Sequence, residues 1–238
     1  ETLRKYITKF NAESGSIILI ESNTGDIISM TNYPSFNPER RSEFNGKNIK
    51  NRAVYDLIEP GSTIKPLIIY SGLHNKVITE STIINTAPGV IQIEDNEIRD
   101  WKYLGKVIPR DIIRLSSNIG AAKVSSKLSK KQLIHGLNKL GFGQSLFLNL
   151  PGSKTGYLPL PSELSDTGHM SLGYGYGLSV SLMHLASAYT TLANYGDRVQ
   201  INYLKTNNTV NKKDNILDSN DSKKVLDMMR EVVHSKDG

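Results

Sequence analysis

Glu59-Pro60-Gly61-Ser62-Thr63-Ile64-Lys65-Pro66 is the stretch that decides how this chain reads. Pro60-Gly61 breaks the preceding segment, and Ile64, Leu67, Ile68 and Leu73 then supply one apolar face, so the spacing predicts a bend followed by a helix. Ser62 falls at the helix start, where a serine side chain commonly caps free backbone N–H groups. Lys65, three residues on, shares its helical face and lies within reach of the hydroxyl. A serine hydroxyl is a poor nucleophile at neutral pH, but a lysine held neutral by burial and nearby cations can take its proton. Ser-x-x-Lys also arises by chance, so both readings stand until the surrounding chain is read.

The 238 residues, 38% hydrophobic and 22% charged, fit one large domain or two small ones with an ample core. No apolar run approaches the roughly 18 to 20 residues that span a bilayer. No charged-then-apolar leader precedes a small-residue cleavage site, so the segment reads as neither membrane-spanning nor targeted by its own terminus. It starts on Glu1 rather than Met, as a piece of a longer chain would. Cysteine is absent, which excludes disulfides and thiolate metal sites and leaves the redox compartment open. The net charge of +6 is dispersed, with only short pairs such as Lys130-Lys131, Lys212-Lys213 and Lys223-Lys224. No basic arm with interleaved aromatics occurs, so no nucleic-acid partner is expected. His74, His135, His169, His184 and His234 show no mutual ligand spacing, and no metal is expected.

Along the chain, Glu1 to Phe10 reads as a short helix or the tail of a preceding element. Ser16-Ile17-Ile18-Leu19-Ile20, the turn residues Ser22 to Asp26, and Ile27-Ile28-Ser29-Met30 predict a β-hairpin. Its strands are apolar at nearly every position, so cover on both faces is expected. Thr31 to Asn51 reads as an irregular connection. Short strands are expected at Ile83-Ile84 and Val90 to Ile93, and a helical pattern opens at Pro109 to Ile113. That pattern stops at Leu115-Ser116-Ser117-Asn118-Ile119-Gly120, a cluster of the kind that caps helices and shapes turns. A helix over Ala121 to Leu128 should follow, then another over Ser129 to Leu140, with Ser129 and Gln132 in capping-box spacing and Gly141 as terminator. Gly141 to Ser165 is rich in Gly and Pro and reads as loop. Gly173-Tyr174-Gly175-Tyr176-Gly177 has the glycines of a backbone-exposing loop without Gly-x-Gly-x-x-Gly, which argues against a dinucleotide. A helix beginning at Ser179 carries Leu182, Leu185, Ala186, Tyr189 and Leu192 on one face, with Met183 and Tyr189 read as core. A strand at Val199 to Leu204, a polar segment to about Ser219, a helix over Ser222 to His234 and a turn at Lys236-Asp237-Gly238 complete the chain.

In this order, the segments resemble the transpeptidase domain of class B penicillin-binding proteins, particularly the septal, cell-division type. Ser22 to Met30 looks like that family's strand-turn-strand, and Tyr33-Pro34-Ser35-Phe36-Asn37-Pro38 like the segment that follows it. Asn51-Arg52-Ala53 and Glu59 to Pro66 resemble its Ser-x-x-Lys box, and Leu115 to Gly120 its Ser-x-Asn box. Leu140-Gly141-Phe142-Gly143, Leu150-Pro151-Gly152 and Gly173-Tyr174-Gly175 fall where the family has similar text. The ordered set, covering about Ser16 to Gly238, is far more specific than any one box, and Glu59 before Pro-Gly-Ser favours the septal type. The resemblance implies an α/β fold: the penicillin-binding protein/serine β-lactamase-like fold, an antiparallel sheet flanked by helices plus an all-helical lobe. Residues 1–15 would then be the end of a preceding segment or a linker, and 16–238 a partial transpeptidase domain lacking C-terminal strands.

The family needs a third box, Lys-Thr-Gly, on an edge strand. Lys154-Thr155-Gly156 spells it, but inside a Pro/Gly-rich loop and ahead of the Gly173 loop, so it is read as a chance match, with the functional box expected beyond Gly238. Without those strands an apolar sheet edge is left open, and the isolated segment is expected to be unstable or inactive. The resemblance implies Ser62 as nucleophile toward a D-alanyl-D-alanine stem peptide and Lys65 as proton acceptor. It further implies Ser116 as relay to the leaving amine and Asn118 as the group orienting Lys65 and the substrate amide, with Ser117, Gly173, Tyr174 and Gly175 at the substrate. β-Lactams would acylate the same serine, and no cofactor is required. A membrane glycosyltransferase and other divisome proteins are implied as partners, on the extracytoplasmic face of a bacterial inner membrane and with an N-terminal anchor helix absent from this chain. Two alternatives remain: a β-lactamase or D,D-carboxypeptidase on the same scaffold, and a catalytically incomplete division scaffold.

Overall fold

The computed structural model describes residues 1–146, 150–204 and 214–235. In chain order, α1 (Thr2–Phe10) leads into the hairpin β1 (Gly15–Ile20) and β2 (Ile27–Tyr33), and a short α2 (Arg52–Tyr55) precedes the Ser62 segment. Then come α3 (Lys65–His74), β3 (Ile84–Asn85), the hairpin β4 (Val90–Ile93) and β5 (Asn96–Arg99), and β6 (Lys106–Val107). Helices α4 (Pro109–Arg114), α5 (Asn118–Lys127), α6 (Lys130–Lys139), α7 (Asp166–Leu172) and α8 (Leu182–Ala193) follow, then β7 (Asp197–Arg198), β8 (Asp214–Asn215) and α9 (Ser219–His234). Among the described residues the strands form four antiparallel pairs, β1 with β2, β3 with β6, β4 with β5 and β7 with β8.

The axis of the fold is α3. Lys65 to Leu73 are all buried, with Leu67, Ile68 and Ile69 fully so. A helix that is apolar all round has no face to offer water and settles in the middle of a bundle. Here α4, α5, α6 and α9 pack around it. Each fully buried Leu or Ile contributes about 1.5–3 kcal/mol relative to exposure, so these three side chains alone give the helix a strong reason to stay put. Because the chemistry-bearing segment runs straight into it, Ser62 is mounted on a buried helix at the centre of the packing.

Several sequence expectations are corrected in detail. The hairpin forms as read, but Ile17, Leu19 and Ile28 are 38%, 53% and 60% exposed, so among the described residues one of its faces is open rather than covered. Its other face packs Ile18, Ile20, Ile27 and Met30 against Val54, Met183 and Ile201, and α1 seats the buried Ile7 beside Gly15. The expected strand at Val199 to Leu204 does not form: β7 ends before it, at Arg198, and within it only Asn202 makes an isolated bridge, to Asp26, its N–H donating to the Gly25 carbonyl and its carbonyl accepting the Ile27 N–H. Helix α5 begins at Asn118, three residues earlier than the apolar pattern suggests, because Ser117 caps it. Helix α9 also begins early, at Ser219 after Asp218, which accepts from Asp221, whereas α8 begins later than the expected Ser179, at Leu182 after Ser181, whose hydroxyl accepts the His184 N–H. Helix α7 has no clear sequence signal in its run of glycine and polar residues, although Ser165 caps it through the Gly168 N–H. The capping box of α6 is present as read, with Ser129 Oγ accepting from Gln132 and Gln132 Oε1 accepting from Ser129. Most of the polar segment before Ser219 and the turn at Lys236-Asp237-Gly238 lie outside the described residues.

Candidate active site

Ser62 sits in a single 3-10 turn, Gly61–Ile64, that continues directly into α3. Its hydroxyl does not cap that turn. It faces Lys65 instead, whose Nζ lies 3.0 Å from Ser62 Oγ. Two further features fix the turn: Tyr189 Oη donates to the Thr63 carbonyl at 2.5 Å, and the Gly61 N–H donates to the Gly175 carbonyl at 3.1 Å. Tyr189, read from the sequence as core, therefore also holds the Ser62 segment from α8. Gly175 has φ +94°, and a Cβ there would run into the backbone of Gly61. Only glycine lets these two segments touch.

The second wall comes from the start of α5. Ser116 adopts φ +54°, a left-handed conformation that costs a non-glycine residue roughly 1–2 kcal/mol. This twist turns both its carbonyl and its hydroxyl toward Lys65, at 2.7 Å and 2.9 Å from Nζ. Ser116 Oγ also donates to Ser62 Oγ at 3.0 Å. Asn118 Oδ1 accepts from Nζ at 2.8 Å, and its amide orientation is set because Nδ2 donates to the Arg99 carbonyl at 3.0 Å. Between them, Ser117 is fully buried, its hydroxyl donating to Asp100 and accepting from the Gly120 N–H at 2.8 Å each. Its side chain faces the interior, a correction to its expected place at the substrate. The capping reading and the chemical reading of this tripeptide are thus both realised, on alternate residues.

The surroundings of Lys65 define what it can do. Only 1% of it is exposed, and burial lowers its pKa from 10.5 to about 8, opposed by the Asp100 carboxylate, which raises it. The expectation of nearby cations is corrected: the charged neighbour is an anion, and the neutral amine owes its population to desolvation. A drop of that size increases the neutral fraction at pH 7 by a factor on the order of 10². In the neutral amine, two N–H groups are matched by the Ser116 carbonyl and Asn118 Oδ1, both pure acceptors. The lone pair is left for a hydroxyl, and Ser62 Oγ is in place to donate.

The glycine-rich loop follows α7. Gly173 is packed so closely that a Cβ would meet the Ala121 carbonyl at 2.7 Å and Ser125 Cβ at 2.8 Å. Tyr174 is half-buried with its ring 5.4 Å from that of Tyr176, and Tyr176 is exposed. The loop returns as a strip in which Val180 pairs with Ile58 and Ser179 with Tyr157. Lys154-Thr155-Gly156 lies outside any strand; its Lys154 N–H donates to the Val54 carbonyl, and the ammonium sits 5.0 Å from the centre of the Tyr55 ring. The roles of two contributors are not legible in the sequence, one of them Glu59 of the opening stretch. Asp100 grips the start of α5, and Glu59 accepts the Gly177 N–H at 2.9 Å. Neither has a local signal, because their partners lie 18 and 118 residues away.

Comparison with known proteins matches this arrangement. Residues 15–238 match the penicillin binding protein transpeptidase domain, and the chain belongs to that family. It is 34% identical over 238 residues to the peptidoglycan D,D-transpeptidase FtsI of Buchnera aphidicola subsp. Schizaphis graminum, covering 100% of this chain and 41% of that protein. Over 185 residues it is 34% identical to the FtsI of Escherichia coli K12, covering 78% of this chain and 31% of that protein. The chain therefore spans well under half the length of these relatives. Its structure superposes on the transpeptidase domain of penicillin-binding protein 3 from Burkholderia pseudomallei with a TM-score of 0.88 at 29% identity, over 99% of this chain and 67% of that one. A Burkholderia ambifaria structure described as a peptidoglycan glycosyltransferase gives 0.89 at 27% identity, over 99% and 71%. The fold expected from the resemblance is the fold observed.

Proposed function

We propose that this chain carries the acyl-transfer centre of a peptidoglycan D,D-transpeptidase working in septal cell-wall synthesis. The observation that carries the reading is a buried, low-pKa lysine amine touching a solvent-facing serine, a second serine and an asparagine. In the first half-reaction Lys65 takes the Ser62 proton, and Ser62 Oγ attacks the penultimate D-alanyl carbonyl of a stem peptide. The backbone N–H of Ser62 serves as one oxyanion donor. The C–N bond then breaks, with Ser116 Oγ–H protonating the departing D-alanine amine and regaining a proton from Lys65. In the second, an acceptor amine attacks the acyl carbonyl, its proton returns through Lys65, and Ser62 is released. No cofactor enters either step. Asn118 holds the amine toward Ser62 and offers its amide to the substrate backbone.

A β-lactam presents a strained amide to the same serine and stays attached as an acyl-enzyme. The working context is the extracytoplasmic face of a bacterial inner membrane, with a glycosyltransferase supplying glycan strands and other division proteins as partners; similarity to proteins named FtsI supports this reading. Labelling of the full-length gene product by a fluorescent penicillin tests the proposal. Labelling is expected at Ser62 and absent in Ser62→Ala; labelling that survives that change overturns it. Steady release of hydrolysed drug would mark a β-lactamase instead.

A further inference from the structure

Asp100 lies directly after β5 and is 5% exposed. Its Oδ1 accepts the N–H groups of Asn118 and Ile119 at 2.6 Å and 3.1 Å, and its Oδ2 accepts the Ser117 hydroxyl at 2.8 Å. The Asp100 N–H is tied to the Gly89 carbonyl, while the neighbouring Arg99 carbonyl takes the Asn118 side-chain amide. Asn118 is thus held at both its backbone and its side chain by two consecutive residues. We propose that Asp100 is a positioning residue for the acyl transfer: it fixes the start of α5 so that Ser116 and Asn118 present their oxygens to Lys65, and it supplies the anion that balances that lysine. This rests on the acyl-transfer reading above.

A simple helix cap does not account for the arrangement. Helix α5 already has one, Ser117 accepting from Gly120. Asp100 takes the first two amides of the helix, those of Asn118 and Ile119, ahead of the one Ser117 caps; such free N–H groups at a helix start otherwise turn to water or other partners. Burying a carboxylate is costly unless both oxygens are hydrogen-bonded and a positive charge is near. Three donors spread over both oxygens meet the first need, and the Lys65 amine, when protonated, meets the second.

The charge relationship gives a test that a purely structural role would not pass. Around Lys65, Ser62 on its own turn and Ser116 and Asn118 at the start of α5 are neutral, and Glu59 on the approach to the turn is engaged by Gly177. Asp100 is the charged group acting on the amine, and it raises the lysine's pKa against the larger effect of burial. Removing its charge lowers that pKa further.

The experiment measures acylation by a fluorescent penicillin against pH in the full-length protein, wild type beside Asp100→Asn, Asp100→Ala and Asp100→Glu, with melting temperatures. Asparagine keeps an oxygen for the two amides and removes the charge, so the acid limb of the profile is expected to move to lower pH. Alanine releases the α5 start and is expected to slow acylation about 100-fold, the cost of misplacing reacting groups by about 1 Å. Glutamate keeps the charge and displaces it by a methylene, so a slower plateau with an unmoved acid limb is expected, and this arm decides if the asparagine variant fails to fold. Wild-type rates and an unmoved limb in the asparagine and alanine variants, or a wild-type plateau in the glutamate variant, overturn the inference. A wild type that is not labelled at Ser62 overturns the acyl-transfer reading itself.

Discussion

The N–H of Gly177 donates to the carboxylate of Glu59 at 2.9 Å, joining the approach to the Ser62 turn to the far end of the glycine-rich loop. Together with Gly61 bonding to Gly175, it makes a two-point clasp across the site. Glu59→Ala removes one point of that clasp, a solvent-exposed hydrogen bond that contributes little to overall stability. A roughly tenfold slower acylation at nearly unchanged melting temperature is expected, measured with a fluorescent penicillin, and Glu59→Gln should recover most of the rate.

Acylation should rise with pH along a limb centred near 8, because the working form of Lys65 is the neutral amine. Lys65→Arg keeps a cation that cannot give up its proton, and it should lose about 10²–10⁴ of the rate. The same shift affects folding. Below about 8 both the folded and unfolded chains hold the proton; between about 8 and 10.5 only the unfolded chain does, so this residue's contribution to stability rises with pH across that window. Chemical unfolding at pH 7 and pH 9.5, wild type against Lys65→Met, reads out the difference.

Gly175→Ala forces a Cβ into the Gly61 backbone at a positive φ. The Ser62 turn must move, and acylation should fall at least about 100-fold. Gly46→Ala, where a Cβ meets no atom within 4 Å, is the matched control and should leave the rate unchanged.

Trp101 is the chain's single tryptophan, 68% exposed, with its indole N–H donating to the Leu115 carbonyl at 2.8 Å, next to Ser116. Loading an acyl group on Ser62 should therefore change its emission in stopped-flow fluorescence. The signal should vanish in Ser62→Ala and in Trp101→Phe, while labelling of Trp101→Phe by a fluorescent penicillin should keep the wild-type rate.

The elements legible from sequence are those whose signal is local. The Ser62 helix, the capping box at Ser129 and Gln132, and the hairpin around Gly25 each carry their own period or turn chemistry. Apolar periodicity places the starts of α5 and α9 late, because the caps Ser117 and Asp218 precede the first apolar residue, and it places α8 early, at Ser179, where the cap is Ser181. At the site, Ser62 and Lys65 could be paired from a three-residue spacing, and Ser116 and Asn118 joined them through resemblance. Asp100, Glu59 and Tyr189 could not be found that way. What makes them matter is a contact made across 18, 118 or 126 residues of chain, and nothing in their immediate neighbours encodes it.

Ser116 and Asn118 turn outward to the amine while Ser117 turns inward to cap α5, so one tripeptide serves the chemistry and the fold at once. Mutational escape is thereby narrowed at this place. A change that loosens the grip on an inhibitor by shifting the tripeptide also uncaps a central helix, and the organism carrying it must find a second, compensating change elsewhere in the protein before the first becomes tolerable.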